Sequence, residues 1–299
     1  MEKQGIISLG EAFVDYIATD RTNTKYQPFL GGATVNVAVG VSRLGIASYY
    51  LCKLGTDEKS RFVEEELHRV GVSTDYCVRT PTKQICGVYV HITEKGEREF
   101  HSYINQTPDE VLTAEQLEKS LFKKARVFYF GSGTLFHPTA LETTKVALGY
   151  AQKSKCMVAF DANLRQRRWE SEEQCRETVM SFVGKADVVK LAEDELRFLT
   201  KTDSVAEGIE AFAKLGIRYL FITVGSEGAY VVVEGKSAHV PGEKVQAVDT
   251  TGAGDAFMAT LIGRFYENEN PTFKQVLEYT SYANHIGALA SMKVGATEQ

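Results

Sequence analysis

Asp249-Thr250-Thr251-Gly252-Ala253-Gly254-Asp255-Ala256-Phe257 runs directly into Met258-Ala259-Thr260-Leu261-Ile262. The second run is a good helix former, so the first is the turn that enters a helix. Two glycines around an alanine permit a tight turn whose backbone N–H groups point one way. The positive end of the following helix points at the same place, and together they make a hole suited to phosphate charge. Asp255 falls in the first turn beside that hole. Phosphate repels a carboxylate there, but the carboxylate can take the proton from a hydroxyl that attacks phosphorus. The competing reading is a plain helix cap, with Asp255 merely favouring the helix dipole.

Working outward, short apolar runs alternate with helical patterns. Ile6 to Leu9, Tyr49 to Leu54, Val127 to Phe130, Met157 to Phe160, Val188 to Leu191 and Tyr219 to Val224 read as buried strands. Val35 to Leu44, Glu58 to Val70, Thr139 to Gln152, Glu172 to Val183 and Val205 to Leu215 read as helices, as do Ala253 to Asn268 and Thr272 to Ser291. The alternation is the signature of an α/β fold, a mostly parallel sheet with helices on both faces. Residues 11–30 and 84–104 break it with extra strand-like runs, the latter a hairpin turning at Glu94-Lys95-Gly96. They predict a small β-sheet that covers the strand ends, where open α/β sheets bind ligands. The whole chain, residues 1–299, reads as one such domain with these two segments inserted.

Gly31-Gly32-Ala33-Thr34-Val35-Asn36-Val37-Ala38 is the second motif. The glycine pair lets a polyol approach the backbone, and Asn36 offers both a donor and an acceptor. Asp15, just after the first strand, can accept two hydroxyl hydrogen bonds. Glu11 divides between a sugar contact and a structural role.

The net charge is −5, which argues against a polyanion such as nucleic acid as the main partner. No apolar run approaches the roughly 18 residues of a membrane span. The opening Met1-Glu2-Lys3-Gln4-Gly5 lacks the basic start and long apolar stretch of a signal peptide. The five cysteines show no CxxC spacing, which points to reduced, buried thiols in a cytoplasmic protein rather than disulfides or zinc. There is no Gly-x-x-x-x-Gly-Lys-Ser/Thr loop, no strand-linked Gly-x-Gly-x-x-Gly near the N-terminus and no His-Glu-x-x-His.

Both motifs, in their order along the chain, resemble the two signatures of the PfkB, or ribokinase-like, carbohydrate kinases. The resemblance runs from about Gly10 to Gly295 and implies a ribokinase-like fold, with ATP and Mg2+ as cofactors. It implies that Asp255 is the catalytic base and that the N–H groups of Gly252, Ala253 and Gly254 neutralise developing charge. Asp15, Gly31, Gly32, Asn36 and Tyr103 would hold the sugar. Asp161-Ala162-Asn163-Leu164-Arg165, with Trp169 beyond, resembles a stretch of fructokinases and 2-keto-3-deoxygluconate kinases. Arg165 would then approach the sugar or the transferring phosphate; the alternative is a surface arginine. Thr223-Val224-Gly225-Ser226-Glu227-Gly228 resembles the family's nucleotide-binding strand end. It implies ATP contacts from Thr223, Gly225 and Gly228, joined by Thr251, Gly252, Gly254 and Asn284.

Three departures stand out. Ala192 replaces the Asn of an Asn-x-x-Glu motif whose Glu195 would hold Mg2+ through water; the alternative for Glu195 is a helix N-terminal acid. Ile104 replaces an arginine that commonly follows Tyr103, which speaks against an acidic sugar. The chain stops soon after Gly295-Ala296, where relatives continue with Pro-Thr and a short helix. Asp249 is the candidate ligand for a monovalent cation such as K+.

The expected reaction is transfer of the γ-phosphoryl of ATP to a sugar primary hydroxyl, fructose to fructose 6-phosphate first. Ketodeoxygluconate kinase, ribokinase and nucleoside kinase are the alternatives within the fold. A non-catalytic sugar- or nucleotide-sensing protein is the alternative from another class. Apolar side chains on both faces of the lid predict a homodimer through residues 84–104.

Overall fold

The computed structural model describes residues 3–93 and 98–293. The expected turn at Glu94-Lys95-Gly96 and the tail from Gly295 to Gln299 lie outside them.

The chain begins with β1 (Ile6–Leu9), β2 (Phe13–Ala18), β3 (Tyr26–Gly31), α1 (Ala33–Arg43), β4 (Ser48–Leu51) and β5 (Lys53–Leu54). Next come α2 (Glu58–Arg69), β6 (Val72–Ser73), β7 (Val78–Arg79), β8 (Cys86–Ile92) and β9 (Arg98–Ile104). The middle holds α3 (Lys119–Lys124), β10 (Val127–Gly131), α4 (Pro138–Lys153), β11 (Met157–Asp161), α5 (Glu172–Val183) and β12 (Val188–Ala192). The last part runs α6 (Glu193–Thr200), α7 (Val205–Ala213), β13 (Tyr219–Thr223), β14 (Gly228–Val233), β15 (Lys236–Pro241), α8 (Ala253–Glu267) and α9 (Phe273–Ser291).

The main sheet has the order β15-β14-β13-β12-β11-β10-β1-β4-β6. Every pairing from β13 to β6 is parallel. The strands β1, β10 and β11 are buried at every residue, as apolar runs covered on both faces must be. One face packs on α1, α8 and α9, through Val37, Val41, Phe257, Leu261, Phe265 and Val276. The other packs on α3 to α6. The chain leaves β1 toward β4 on one side and later returns to β10 on the other. Such a reversal of strand order opens a crevice beyond the carboxyl ends of the strands.

The lid is a four-stranded sheet, β3-β2-β8-β9. Cross-strand partners share a face. Asp15 pairs with Phe29 and Val88, and Val88 pairs with Tyr103, so these four form one row on one face.

Two sequence expectations change and one element went unread. Tyr49 to Leu54 is two strands, because Lys53–Leu54 leaves the main sheet to pair with β7. The antiparallel hairpin β14–β15 extends the sheet edge without a helix between its strands. The lid face away from Asp15 is also less open than its sequence suggested. Val14 and Leu30 there are buried, and Tyr16 and Tyr89 stack with centroids 4.9 Å apart. The exposed aromatics Phe100 and Tyr103 instead lie on the Asp15 face, because Phe100 pairs with Val90 and Tyr103 with Val88.

Candidate active site

Gly252, at φ 82°, turns the chain into α8 and leaves the first-turn N–H groups without intrahelical acceptors. Ala253 already donates its N–H to Thr250 O at 3.2 Å, so it is less available to an incoming anion than Gly252 and Gly254. The preceding loop is held down: Val248 and Asp249 donate to Ser291 O, and Asp249 Oδ1 accepts the Thr251 N–H at 2.9 Å.

Asp255 is buried, and burial raises its pKa. A hydrogen bond from Asn36 and the charges of Lys190 and Arg165 pull the other way. Asn36 Nδ2 donates to Asp255 Oδ2 at 2.7 Å, which joins the two sequence signatures 219 residues apart. Asn36 Oδ1 is buried with no partner among the described residues, an acceptor waiting for a donor.

Asp15 lies on β2 of the lid, beside the glycine pair that leads into α1. A Cβ on Gly31 would collide with the Asp15 carboxylate, and one on Gly32 would press on Glu11 O at 2.8 Å. The glycine pair therefore makes room for the acid as well as for a ligand. Burial raises the Asp15 pKa to about 6.

Beneath the anion hole lies a charge cluster that the sequence reading did not assign. Lys190 and Asp161 are register partners on β12 and β11, with Lys190 Nζ 3.1 Å from each Asp161 oxygen. Burial would lower the Lys190 pKa, but Asp161, Glu195 and Asp255 around it outweigh that and raise it. A Cβ on Gly254 would stand 3.0 Å from Lys190 Nζ, so glycine lets the ammonium reach the helix mouth. The signal was present: a lysine inside the apolar strand Val188-Val189-Lys190-Leu191 demands a buried partner.

Glu195 accepts N–H bonds from Leu164 at 2.5 Å and Ala192 at 2.7 Å. It ties the start of α6 to the loop that carries Arg165. Arg165 is exposed, donates to Asn163 Oδ1 at 2.5 Å, and is near enough for its charge to act on Asp255.

On the nucleotide side, Thr223 ends β13 and its hydroxyl donates to Leu191 O at 3.4 Å. Gly225 and Gly228 have φ of 58° and 102°. Gly228 packs so closely on the backbone of Val240 to Gly242 that no side chain fits. Asn284 donates to Val240 O and Pro241 O, both at 3.1 Å, and so fastens α9 to β15. Among the described residues no three His, Cys, Asp or Glu side chains gather to hold a metal.

The description of the pfkB family of carbohydrate kinases matches residues 3–299. The chain belongs to that family. It is 34% identical to fructokinase-1 of Zea mays, over 97% of this chain and 93% of that protein. Fructokinase of Vibrio cholerae O395, crystallised with fructose, ADP and calcium ion, superposes with a TM-score of 0.88 at 31% identity. That match covers 98% of this chain and 94% of the other. Fructokinase of Xylella fastidiosa with bound ATP superposes with a TM-score of 0.89 at 28% identity, covering 99% and 95%. The fold is therefore the ribokinase-like fold of a pfkB sugar kinase, with its small second sheet.

Proposed function

We propose that this pfkB kinase phosphorylates fructose at O6 with ATP. The observation that carries the reading is the Asn36–Asp255 hydrogen bond at the mouth of α8, which supports taking the sugar contact and the proton acceptor as neighbours. The fructokinase relatives supply the sugar. Asp15 and Asn36 hold the sugar hydroxyls, with Gly31, Gly32 and Tyr103 shaping the space around them. Asp255 accepts the proton of the primary hydroxyl as its oxygen bonds to the γ-phosphorus and the bond to ADP breaks. The N–H groups of Gly252 and Gly254, and the Arg165 guanidinium, face the charge that develops on the phosphoryl oxygens. The lid excludes water that would otherwise be phosphorylated in place of the sugar.

ATP lies along Thr223, Gly225, Gly228 and Thr251, with Asn284 bordering the base. The absence of a three-residue metal cluster among the described residues fits a Mg2+ carried mainly by the nucleotide phosphates, Glu195 reaching it through water. Asp249 is our candidate K+ ligand. The exposed Phe100, Tyr103 and Ile104 on the edge strand β9 favour a homodimer through the lid. The five buried, free cysteines suit a cytoplasmic chain.

A coupled ADP-release assay over a sugar panel tests the reading. Fructose should give the highest kcat/KM. Release with no sugar above the water background would favour the non-catalytic sensor instead.

A further inference from the structure

The lid strand β9 ends in Tyr103-Ile104, with Ile104 where the family resemblance implies an arginine. Another segment carries one. The turn Gln166–Arg168 follows β11, and from it the Arg168 guanidinium lies 4.3 Å from the Phe136 ring centroid and 5.4 Å from that of Tyr103. Tyr103 stands on the Asp15 face of the lid, so the guanidinium is on the sugar side of the sheet. Stacking covers the flat faces of a guanidinium and leaves its in-plane N–H donors at the rim, available to oxygen acceptors. Arg168 is exposed, so those donors are not closed off by protein.

Two of the three arginines of this loop, Arg165 and Arg168, act on different acids. Arg165 acts on Asp255. Arg168 acts on Glu11, whose carboxylate takes the buried Lys83 ammonium at 2.7 Å. Glu11 belongs to the connection between β1 and the lid, with its backbone against Gly32. Lys83 fixes the Glu11 carboxylate in place, and Arg168, with Lys53, is among the further cations whose charge acts on it.

We propose that Arg168 is a specificity residue of the sugar pocket, donating to O1 of fructofuranose while O6 meets Asp255. The proposal rests on the fructose reading above. It also reverses the consequence drawn from Ile104: the sugar wall does carry an arginine, delivered from the loop after β11 rather than from the lid strand.

The test is a cycle between enzyme and substrate, with wild type, Arg168→Met and Arg168→Lys each assayed on fructose and 1-deoxyfructose, which lacks only O1. Loss of a hydrogen bond from a charged donor corresponds to about 10–100-fold in affinity. Arg168→Met should raise the KM for fructose by about that factor with kcat within about twofold, the pattern of lost ground-state binding. Wild type should disfavour 1-deoxyfructose to a similar degree, and Arg168→Met should not distinguish the two sugars. Arg168→Lys, which keeps charge without the planar fork, should recover part of the discrimination. An unchanged fructose KM in Arg168→Met, or discrimination as strong as in wild type, overturns the role of Arg168 alone. A wild-type enzyme inert on fructose overturns the fructose reading and this proposal with it.

Discussion

The two walls of the site are built on opposite terms. Around Asp255 the acid's own neighbours are enclosed: Lys190 and Asp161 are paired, Asn36 is bonded to Asp255, and α8 is sandwiched between α1 and α9. On the lid, Phe100 and Tyr103 are 49% and 44% exposed, and they lie on the face that carries Asp15. On the proposed reading the enclosed wall is the one that stabilises charge during phosphoryl transfer, which a static field does best when it need not rearrange. On the same reading the open wall is the one that meets a neutral polyol, which a lid has to admit before it closes. Changes in the first wall should therefore alter turnover or stability, and changes in the second should alter affinity.

The largest effect expected is at the base. Asp255→Asn keeps the shape and the Asn36 neighbour but cannot take a proton, so kcat should fall by about 10²–10⁴-fold or more. Calorimetric titration should show fructose affinity within a few-fold of wild type. Near-native turnover in this variant would remove Asp255 from the role of base.

Next is the buried pair. Lys190→Met leaves Asp161 buried without its cation, and breaking such a pair costs about 3–5 kcal/mol. Urea unfolding should report that loss, and the double variant Lys190→Met/Asp161→Asn should recover part of it. A Lys190→Met enzyme as stable as wild type would mean that the Lys190–Asp161 contact adds nothing to stability.

On the lid, Asp15→Ala should raise the fructose KM by about 10–100-fold with kcat at saturation little changed, because its hydroxyl contacts exist in the ground state too. Gly31→Ala should imitate it, since the added methyl takes the place of the Asp15 carboxylate. A large loss of kcat at saturating sugar in either variant would erase the division between the two walls.

How much of this was legible follows the same line. The strands Ile6–Leu9 and Val127–Gly131 announce themselves because burial on both faces forces continuous apolar runs. The turn at Gly252 and the place of Asp255 in the first turn of α8 could be read because a tight entry into a helix needs glycine at a positive φ directly before the helical run. Arg168 could not be read that way. Its place is set by rings at Phe136 and Tyr103, from two other segments, and nothing local marks the meeting. The β14–β15 hairpin went unread because its first strand, starting at Gly228, was absorbed into the nucleotide motif that ends there. Glu195 was read for its motif, whereas its two hydrogen bonds to Leu164 and Ala192 depend on how β11 and β12 lie side by side.

The smallest effect is the most discriminating, because both acids have raised pKa values yet should act on different kinetic constants. Burial moves Asp15 from 3.8 to about 6. Between those values the folded chain keeps a proton that the unfolded chain has lost, so this group favours the native state at low pH and that contribution disappears as pH rises through about 6. Sugar binding runs the other way, since only the carboxylate accepts two hydroxyl hydrogens. As pH falls through about 6, kcat/KM for fructose should therefore drop, approaching about tenfold per pH unit well below the pKa. Once the sugar is bound its hydroxyls hold Asp15 in the charged form, so the Asp15 limb should fade from kcat, leaving there only the acid limb of Asp255. Asp15→Asn should raise KM at every pH and remove the limb near 6 from kcat/KM. If that limb persists at the same pH in Asp15→Asn, it belongs to Asp255, and the enclosed wall rather than the lid governs the acid side of the profile.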